Sequence, residues 1–84
     1  MRRDDRFRIN DDGRIVSVWD DSVGVGMEFR RWDGENEVRW RFLTTKESIF
    51  KEWEIVRQAL DRIVGFAREE YPQEFDHLVR GSLI

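Results

Sequence analysis

Cysteine is absent from the 84 residues of this chain, and histidine and proline each occur once. The absence of cysteine excludes disulfide bonds, thiolate zinc sites and a cysteine nucleophile. Long apolar runs are also missing, since no run is longer than the stretch at residues 23–27, whereas a transmembrane helix needs about 20 residues. We therefore expect a protein with no membrane segment, no cofactor and no metal, and cytoplasmic by default.

Neither sign of charge dominates the chain. The 15 basic and 18 acidic side chains give a formal net charge of −3, and the apolar and charged fractions are each 39%. Nucleic-acid binding usually requires a basic domain, so the overall charge argues against it. A chain of this length buries only about 60% of the surface exposed in its unfolded form. We expect residues 1–84 to form a single domain with one small core.

An Asp-Gly dipeptide separates two alternating stretches near the start of the chain. Asp12 and Gly13 are residue types that accept the positive φ of a two-residue hairpin turn. With this loop we expect four cross-strand pairs, two apolar and two polar: Ile9 with Val16, Phe7 with Val18, Arg8 with Ser17, and Arg6 with Trp19.

A second Asp-Gly dipeptide, Asp33-Gly34, separates residues 25–32 from residues 35–43. A four-residue loop would keep the strand faces but place Arg30 opposite Arg39, so charge favours the two-residue loop. The expected pairs are Phe29 with Val38, Met27 with Trp40, Val25 with Phe42, Arg30 with Glu37, and Glu28 with Arg39.

A helical pattern follows the predicted strands. Thr44 and Glu47 have the spacing of a capping box, which predicts a helix over about residues 45–70. Pro72 is suited to the first turn of a short second helix that stops near Gly81. One apolar stripe of the long helix is expected to cover the sheet, and a second lies beside it: first Ile49, Trp53, Val56, Leu60, Ile63 and Ala67, then Ile55, Ala59 and Phe66.

The predicted fold is α+β, a four-stranded antiparallel β-meander packed on one long helix, with a short C-terminal helix. A 26-residue helix spans about 39 Å, whereas a six-residue strand spans about 20 Å. The end of the helix therefore needs cover from residues 72–84, from a second copy of the chain in a homodimer, or from a foreign partner. The candidate helix interface consists of Ile55, Ala59, Ile63 and Phe66.

Residues suited to catalysis are scarce. His77 has Glu74 three residues before it, but metal centres on helices need more ligands than one such pair, and we expect His77 to be exposed to solvent. No serine has a base placed near it by a known motif. We therefore expect no enzymatic activity, with no catalytic, cofactor-binding or metal-binding residues.

The polar face of the sheet is the first candidate binding surface. Arginines interleaved with tryptophans are typical of platforms for single-stranded nucleic acid, but they also pair with neighbouring carboxylates or stack on the rings. The two interpretations stay open at this point. The predicted face consists of Arg6, Arg8, Trp19, Arg30, Trp32, Arg39 and Arg41.

The run MEFRRW at residues 27–32, before an acidic turn, and Trp53 early in the helix together resemble the single-strand-binding domain of the positive-cofactor-four coactivators. The resemblance covers about residues 6–60 and implies a sheet that binds single-stranded nucleic acid. The chain lacks the Pro-Gly and Lys-Gly elements of that family's fourth strand, and the order of strands and helix is common to many unrelated modules.

Protein–protein contact is the function that we rank first. Four tryptophans in a small, cofactor-free domain supply the anchors preferred at interfaces. Phage or bacterial inhibitors and adaptors of the anti-CRISPR or immunity-protein type have this general character. Binding of single-stranded nucleic acid on the Arg/Trp face is the alternative, and mimicry of phosphates by acidic helix residues ranks third.

Overall fold

The computed structural model describes residues 6–80, which form one antiparallel sheet followed by helices. The strands lie in the order β1-β2-β3-β4, which confirms the predicted α+β meander. In chain order the elements are β1 (Arg8–Asp11), β2 (Ile15–Asp20), β3 (Val25–Arg30), β4 (Trp40–Thr44), a 3-10 helix (Glu47–Phe50), α1 (Trp53–Glu70) and α2 (Pro72–Phe75).

The core lies between α1 and the two central strands. Alternate residues of β2 and β3 point toward α1, because side chains along a strand alternate between the two faces of a sheet. Each fully buried apolar side chain contributes about 1.5–3 kcal/mol. The buried apolar residues of these three elements are Val16, Val18, Val25, Met27, Phe29, Val56, Ala59, Ile63 and Ala67.

Both predicted hairpin registers are wrong by two residues. A shift of two preserves the faces, because the side-chain period of a strand is also two. The Arg30 N–H donates to the Arg39 carbonyl over 3.0 Å, the pairing that charge disfavoured. The observed pairs include Arg8 with Trp19, Ile9 with Val18, Asp11 with Val16, Met27 with Phe42, Glu28 with Arg41, and Phe29 with Trp40.

Aspartate side chains explain the wider loops. The Asp12 carboxylate accepts the N–H groups of Arg14 and Ile15, each over 2.8 Å. Asp33 accepts the N–H groups of Glu35 and Asn36 over the same distance. The hydrogen bond from the Asn36 N–H, followed by that from its side chain, lowers the pKa of Asp33 to about 2. Each aspartate therefore orders a turn wider than a two-residue loop.

The predicted capping box does not form. Thr44 belongs to β4, and the Thr45 hydroxyl donates to the Gly24 carbonyl over 3.0 Å. The Ser48 hydroxyl donates back to the Thr45 carbonyl over 2.7 Å, so the long helix does not begin at this position. The 18 residues of α1 span about 27 Å. The predicted length of about 39 Å is therefore wrong, and most of the predicted overhang beyond the sheet is absent.

The last turns of α1 are covered by the chain itself. Phe66 packs against Phe7 with 5.0 Å between ring centroids. Phe75 of α2 contacts Phe29 edge-on at 5.7 Å. The second helix already ends at Phe75, and Gly81, its predicted end, lies outside the described residues. Of the three predicted ways to cover the end of the helix, cover by residues of the same chain therefore applies to this part of α1.

Residues 77–79 extend the sheet beside the start of β4. The Val38 N–H donates to the His77 carbonyl over 2.7 Å, and the Val79 N–H donates to the Val38 carbonyl over 2.9 Å. These bonds make a parallel bridge between Val38 and Leu78. The C-terminal segment therefore covers the open side of the sheet at Val38.

Replacing Gly24 with alanine is expected to lower the free energy of unfolding by about 1–3 kcal/mol, because left-handed backbone is strained for other residues. Gly24 has φ 86°, and a Cβ there would overlap the Thr45 hydroxyl. Gly13 is the matched control, with φ 89° and no described atom within 4 Å of an added Cβ. Urea denaturation should show the larger loss for Gly24→Ala, and equal losses would contradict the proposed close contact.

Candidate protein-binding surface

Two of the predicted arginines on the polar sheet face are neutralised. Arg8 donates from Nε and Nη2 to the two carboxylate oxygens of Asp21, each over 2.9 Å, and its guanidinium lies 5.7 Å from the Trp19 ring centroid. Arg41 donates from Nε to Glu28 over 2.9 Å. These are the internal contacts that compete with ligand binding on this face.

Arg30 and Arg39 lie opposite each other on the same face. Neither forms an ion pair within residues 6–80. Like charges directly across a strand pair destabilise a sheet slightly. This pair is therefore the part of the polar face that is free to attract an anion.

Trp32 is absent from this face, contrary to the prediction. Its ring stacks on His77 at 4.0 Å between centroids and 10° between planes, and its backbone N–H donates to Glu74 over 2.8 Å. His77 is half-buried in this stack, so its predicted full exposure is corrected too. Arg6 precedes β1 and is exposed, and it is Arg8 that pairs with Trp19.

A buried carboxylate holds α2 to the sheet. Glu74 is 3% exposed and accepts from Arg31 Nε over 3.2 Å. Arg31 also donates to Asp11 over 3.0 Å, as does the Tyr71 hydroxyl. Burial, followed by the hydrogen bond to Asp11, raises the pKa of Tyr71 to about 12. This network connects β1, the end of β3 and α2, and the sequence patterns did not reveal it.

Metal binding finds no support in the side-chain clusters. Within residues 6–80 no group of three or more His, Cys, Asp or Glu side chains is placed to hold an ion. Each described member of the Glu74 network is engaged by another protein group. The network is therefore best described as structural.

Within residues 6–80, the exposed large apolar side chains all fall in residues 42–55, which we call the apolar segment. It includes the end of β4, the 3-10 helix and the start of α1. Exposed apolar clusters of this kind mark interaction sites in soluble proteins. The exposed fractions are 43% for Phe42, 72% for Ile49, 85% for Phe50, 70% for Trp53 and 43% for Ile55.

Local packing explains why these side chains point outward. The main sheet contacts of α1 are with β2 and β3, so Phe42 on β4 remains half-exposed beside Trp40, at 5.1 Å between ring centroids. In the 3-10 helix Ser48 is the buried residue. Its neighbours Ile49 and Phe50 are left in solvent.

The helix stripes are assigned differently from the prediction. Ala59 and Ile63, two of the four candidate interface residues, are buried in the chain's own core, and Phe66 is half-buried against it. Ile55 alone of that set is classed among the exposed side chains, and it is half-exposed. Ile49 and Trp53, expected to cover the sheet, belong to the exposed group instead. Phe50 fits neither predicted stripe, and this is the signal in the sequence that would have marked a break in the predicted continuous helix.

No family model matches the chain, and neither the curated proteins nor the solved structures contain a match to it. Among the described helices, none has the length and apolar character needed to cross a membrane.

Replacing Glu74 with alanine is expected to lower the free energy of unfolding by about 1–3 kcal/mol, because the backbone N–H of Trp32 and Nε of Arg31 lose their acceptor. Glu54, which pairs with Arg57 on the exposed side of α1, is the matched control, since exposed ion pairs contribute little. Thermal unfolding should place Glu74→Ala well below wild type and Glu54→Ala close to it. Equal melting temperatures for the two variants would contradict a structural role for Glu74.

Proposed function

We propose that this chain is a non-enzymatic protein-binding module that contacts its partner through the apolar segment. The observation that supports this proposal is that, in the described part of the chain, large exposed apolar side chains occur only at residues 42–55. A large aromatic side chain buries about 150–250 Å² at an interface. Phe50 and Trp53 are the most suitable anchors, because they are 85% and 70% exposed in the isolated chain.

Charged residues flank these anchors. Lys46, Glu47, Lys51 and Glu52 are exposed and surround the apolar side chains along the sequence. Protein interfaces commonly combine a buried apolar centre with a polar rim. The alternation of charge around the segment is consistent with a specific docking surface.

A small domain of this kind acts by occupying a surface of a larger protein. It needs no cofactor for that role, and its binding energy comes from a few aromatic anchors. An inhibitor or adaptor, of the anti-CRISPR or immunity-protein type in general character, is the proposed biological role.

Binding of single-stranded nucleic acid is the second candidate, supported by the cross-strand residues Arg30 and Arg39, which form no ion pair within residues 6–80. The cleft that they line also contains Arg31, Asn36 and the carboxylates of Asp33 and Glu37. Ion pairing of Arg8 and Arg41 and the removal of Trp32 from the sheet face weaken this candidate relative to protein binding.

A photo-reactive phenylalanine analogue at position 50 tests the first proposal. We expect it to cross-link one protein specifically, and we expect the same group at the exposed position Gln58 to give no such product. With that protein purified, Trp53→Ala should weaken binding about tenfold or more, as removal of an interface anchor does, and Gln58→Ala should not. A cross-linked second copy of the chain counts as a product. If position 50 gives no product above the level of the Gln58 control, the proposal is overturned.

An oligonucleotide titration at low salt tests the second candidate. If the sheet face binds phosphates, fluorescence anisotropy should rise, and the double variant Arg30→Gln/Arg39→Gln should abolish the rise because it removes both free guanidinium groups. The matched control Arg57→Gln lies on α1, where its guanidinium pairs with Glu54 and Asp61. An unchanged anisotropy with the wild-type chain would exclude this candidate.

A further inference from the structure

We infer that Arg30 and Arg39 form a binding site for one phosphate group, either inorganic phosphate or the phosphate of a small phosphomonoester. Arg30 ends β3, and Arg39 directly precedes β4. The site involves none of the apolar segment. It rests on the same two arginines as the second candidate function, and it narrows the ligand from a nucleic-acid chain to a single phosphate group.

The register between β3 and β4 leaves both arginines without a carboxylate opposite them. The observed register, which follows from the Asp33 turn, places Arg30 opposite Arg39. A shift of two residues would keep the strand faces and place Arg30 opposite Glu37. Arg39 would then lie opposite Glu28. Like charges across a strand pair lower stability, and departures from the locally favoured pairing are expected at functional sites.

The backbone holds the two side chains next to each other. The Arg30 N–H donates to the Arg39 carbonyl over 3.0 Å, and directly opposite residues of this kind have Cα atoms about 5.5 Å apart. Both residues are exposed and share the polar face of the sheet. Each guanidinium presents a planar set of N–H donors that matches the oxygens of a phosphate. Two of them on neighbouring strands can therefore donate to one phosphate group at the same time.

Ion pairs at neighbouring arginines restrict the site to a single phosphate group. A polynucleotide chain needs a continuous basic groove that follows its backbone. Three nearby arginines donate instead to carboxylates of the chain itself: Arg8 to Asp21, Arg41 to Glu28, and Arg31 to Asp11 and Glu74. The described part of this face therefore offers one pair of arginines and not a continuous groove.

The charge of the cleft also favours one phosphate group over several. Its two carboxylates belong to Asp33, which accepts N–H groups of its own turn, and to Glu37. Glu37 forms no ion pair within residues 6–80, so it does not neutralise either arginine. A phosphomonoester carries about 1.5–2 negative charges at neutral pH, which the two guanidinium groups match. Further phosphates of a polymer would meet the two carboxylates.

Carbon-detected nuclear magnetic resonance of the arginine Cζ and Nε atoms tests the site directly. Inorganic phosphate is added near neutral pH, with sodium chloride adjusted to keep the ionic strength constant. We expect the signals of Arg30 and Arg39 to shift together and to saturate. Arg57, which is held by Glu54 and Asp61 on α1, should shift little. A shift of the same size at Arg57, or no saturable shift at Arg30 and Arg39, would overturn the site.

Glutamine at both positions tests the site through stability. In chloride alone the double variant Arg30→Gln/Arg39→Gln should melt about 2–4 °C above wild type, because the repulsion between the two arginines is removed. Phosphate should raise the melting temperature of wild type and of the control Arg57→Gln, since a ligand that binds the folded state stabilises it. The rise should be clearly smaller in the double variant. An equal rise in the double variant would overturn the site.

Two nucleotide ligands separate a phosphate group from a nucleic-acid backbone. Thymidine 5′-monophosphate carries a phosphomonoester, so it should shift the Arg30 and Arg39 signals at concentrations similar to those of inorganic phosphate. A shift with inorganic phosphate alone would assign the site to the free ion. An oligothymidine without a terminal phosphate contains only phosphodiesters, and we expect it to leave both signals unshifted at the same concentration of phosphate groups.

The outcomes distinguish this site from the proposed functions. Shifts with oligothymidine, but with neither phosphate nor the monophosphate, would overturn the single-phosphate site and support the second candidate. No shift with any of the three ligands would overturn both. Cross-linking of a protein at position 50 tests the apolar segment separately, because neither arginine belongs to residues 42–55.

Discussion

One helix packs against a sheet of four strands, and the rest of the structure depends on this difference in width. Strands lie about 4.8 Å apart, and a helix with its side chains is about 10 Å across, so α1 covers about two strands. In this structure α1 packs mainly on β2 and β3. Phe66 and Tyr71 contact Phe7 and Asp11 on the β1 side, and on the β4 side residues 77–79 bond to Val38 and to the ring N–H of Trp40. The exposed Phe42 follows from this unequal cover.

Alternation of apolar residues was sufficient to predict the strands and their faces, because the side-chain period of a strand is two. It was not sufficient for the register, since the Asp12 and Asp33 carboxylates accept backbone N–H groups and widen both turns. The predicted start of the helix is wrong for a similar reason. Thr45 bonds to Gly24, a residue distant in sequence, and a local capping pattern contains no information about such a contact.

The predicted helix interface and the predicted polar sheet face are also corrected by contacts that a local sequence pattern does not show. Ala59 and Ile63 had the right helical spacing, but spacing alone does not determine which face of α1 the sheet occupies. The polar face of the sheet retained its arginines, yet ion pairs with Asp21 and Glu28 reduce its charge. The sequence pattern does not reveal the segment at residues 42–55, because Ile49 and Trp53 also fit a continuous apolar stripe. In the folded chain they are 72% and 70% exposed, and this exposure is the basis of the proposed protein binding.

We infer that the unequal cover of the sheet leaves the apolar segment open to solvent, and that this exposure gives the chain its binding surface. Acrylamide quenching of tryptophan fluorescence measures the exposure of Trp53, in a variant whose other three tryptophans are replaced by phenylalanine. We expect efficient quenching of Trp53, which is 70% exposed, and weaker quenching in the matched variant that keeps only Trp32, which is half-buried against His77. Equally weak quenching of both tryptophans would show that the apolar segment is covered in solution and would disprove this inference.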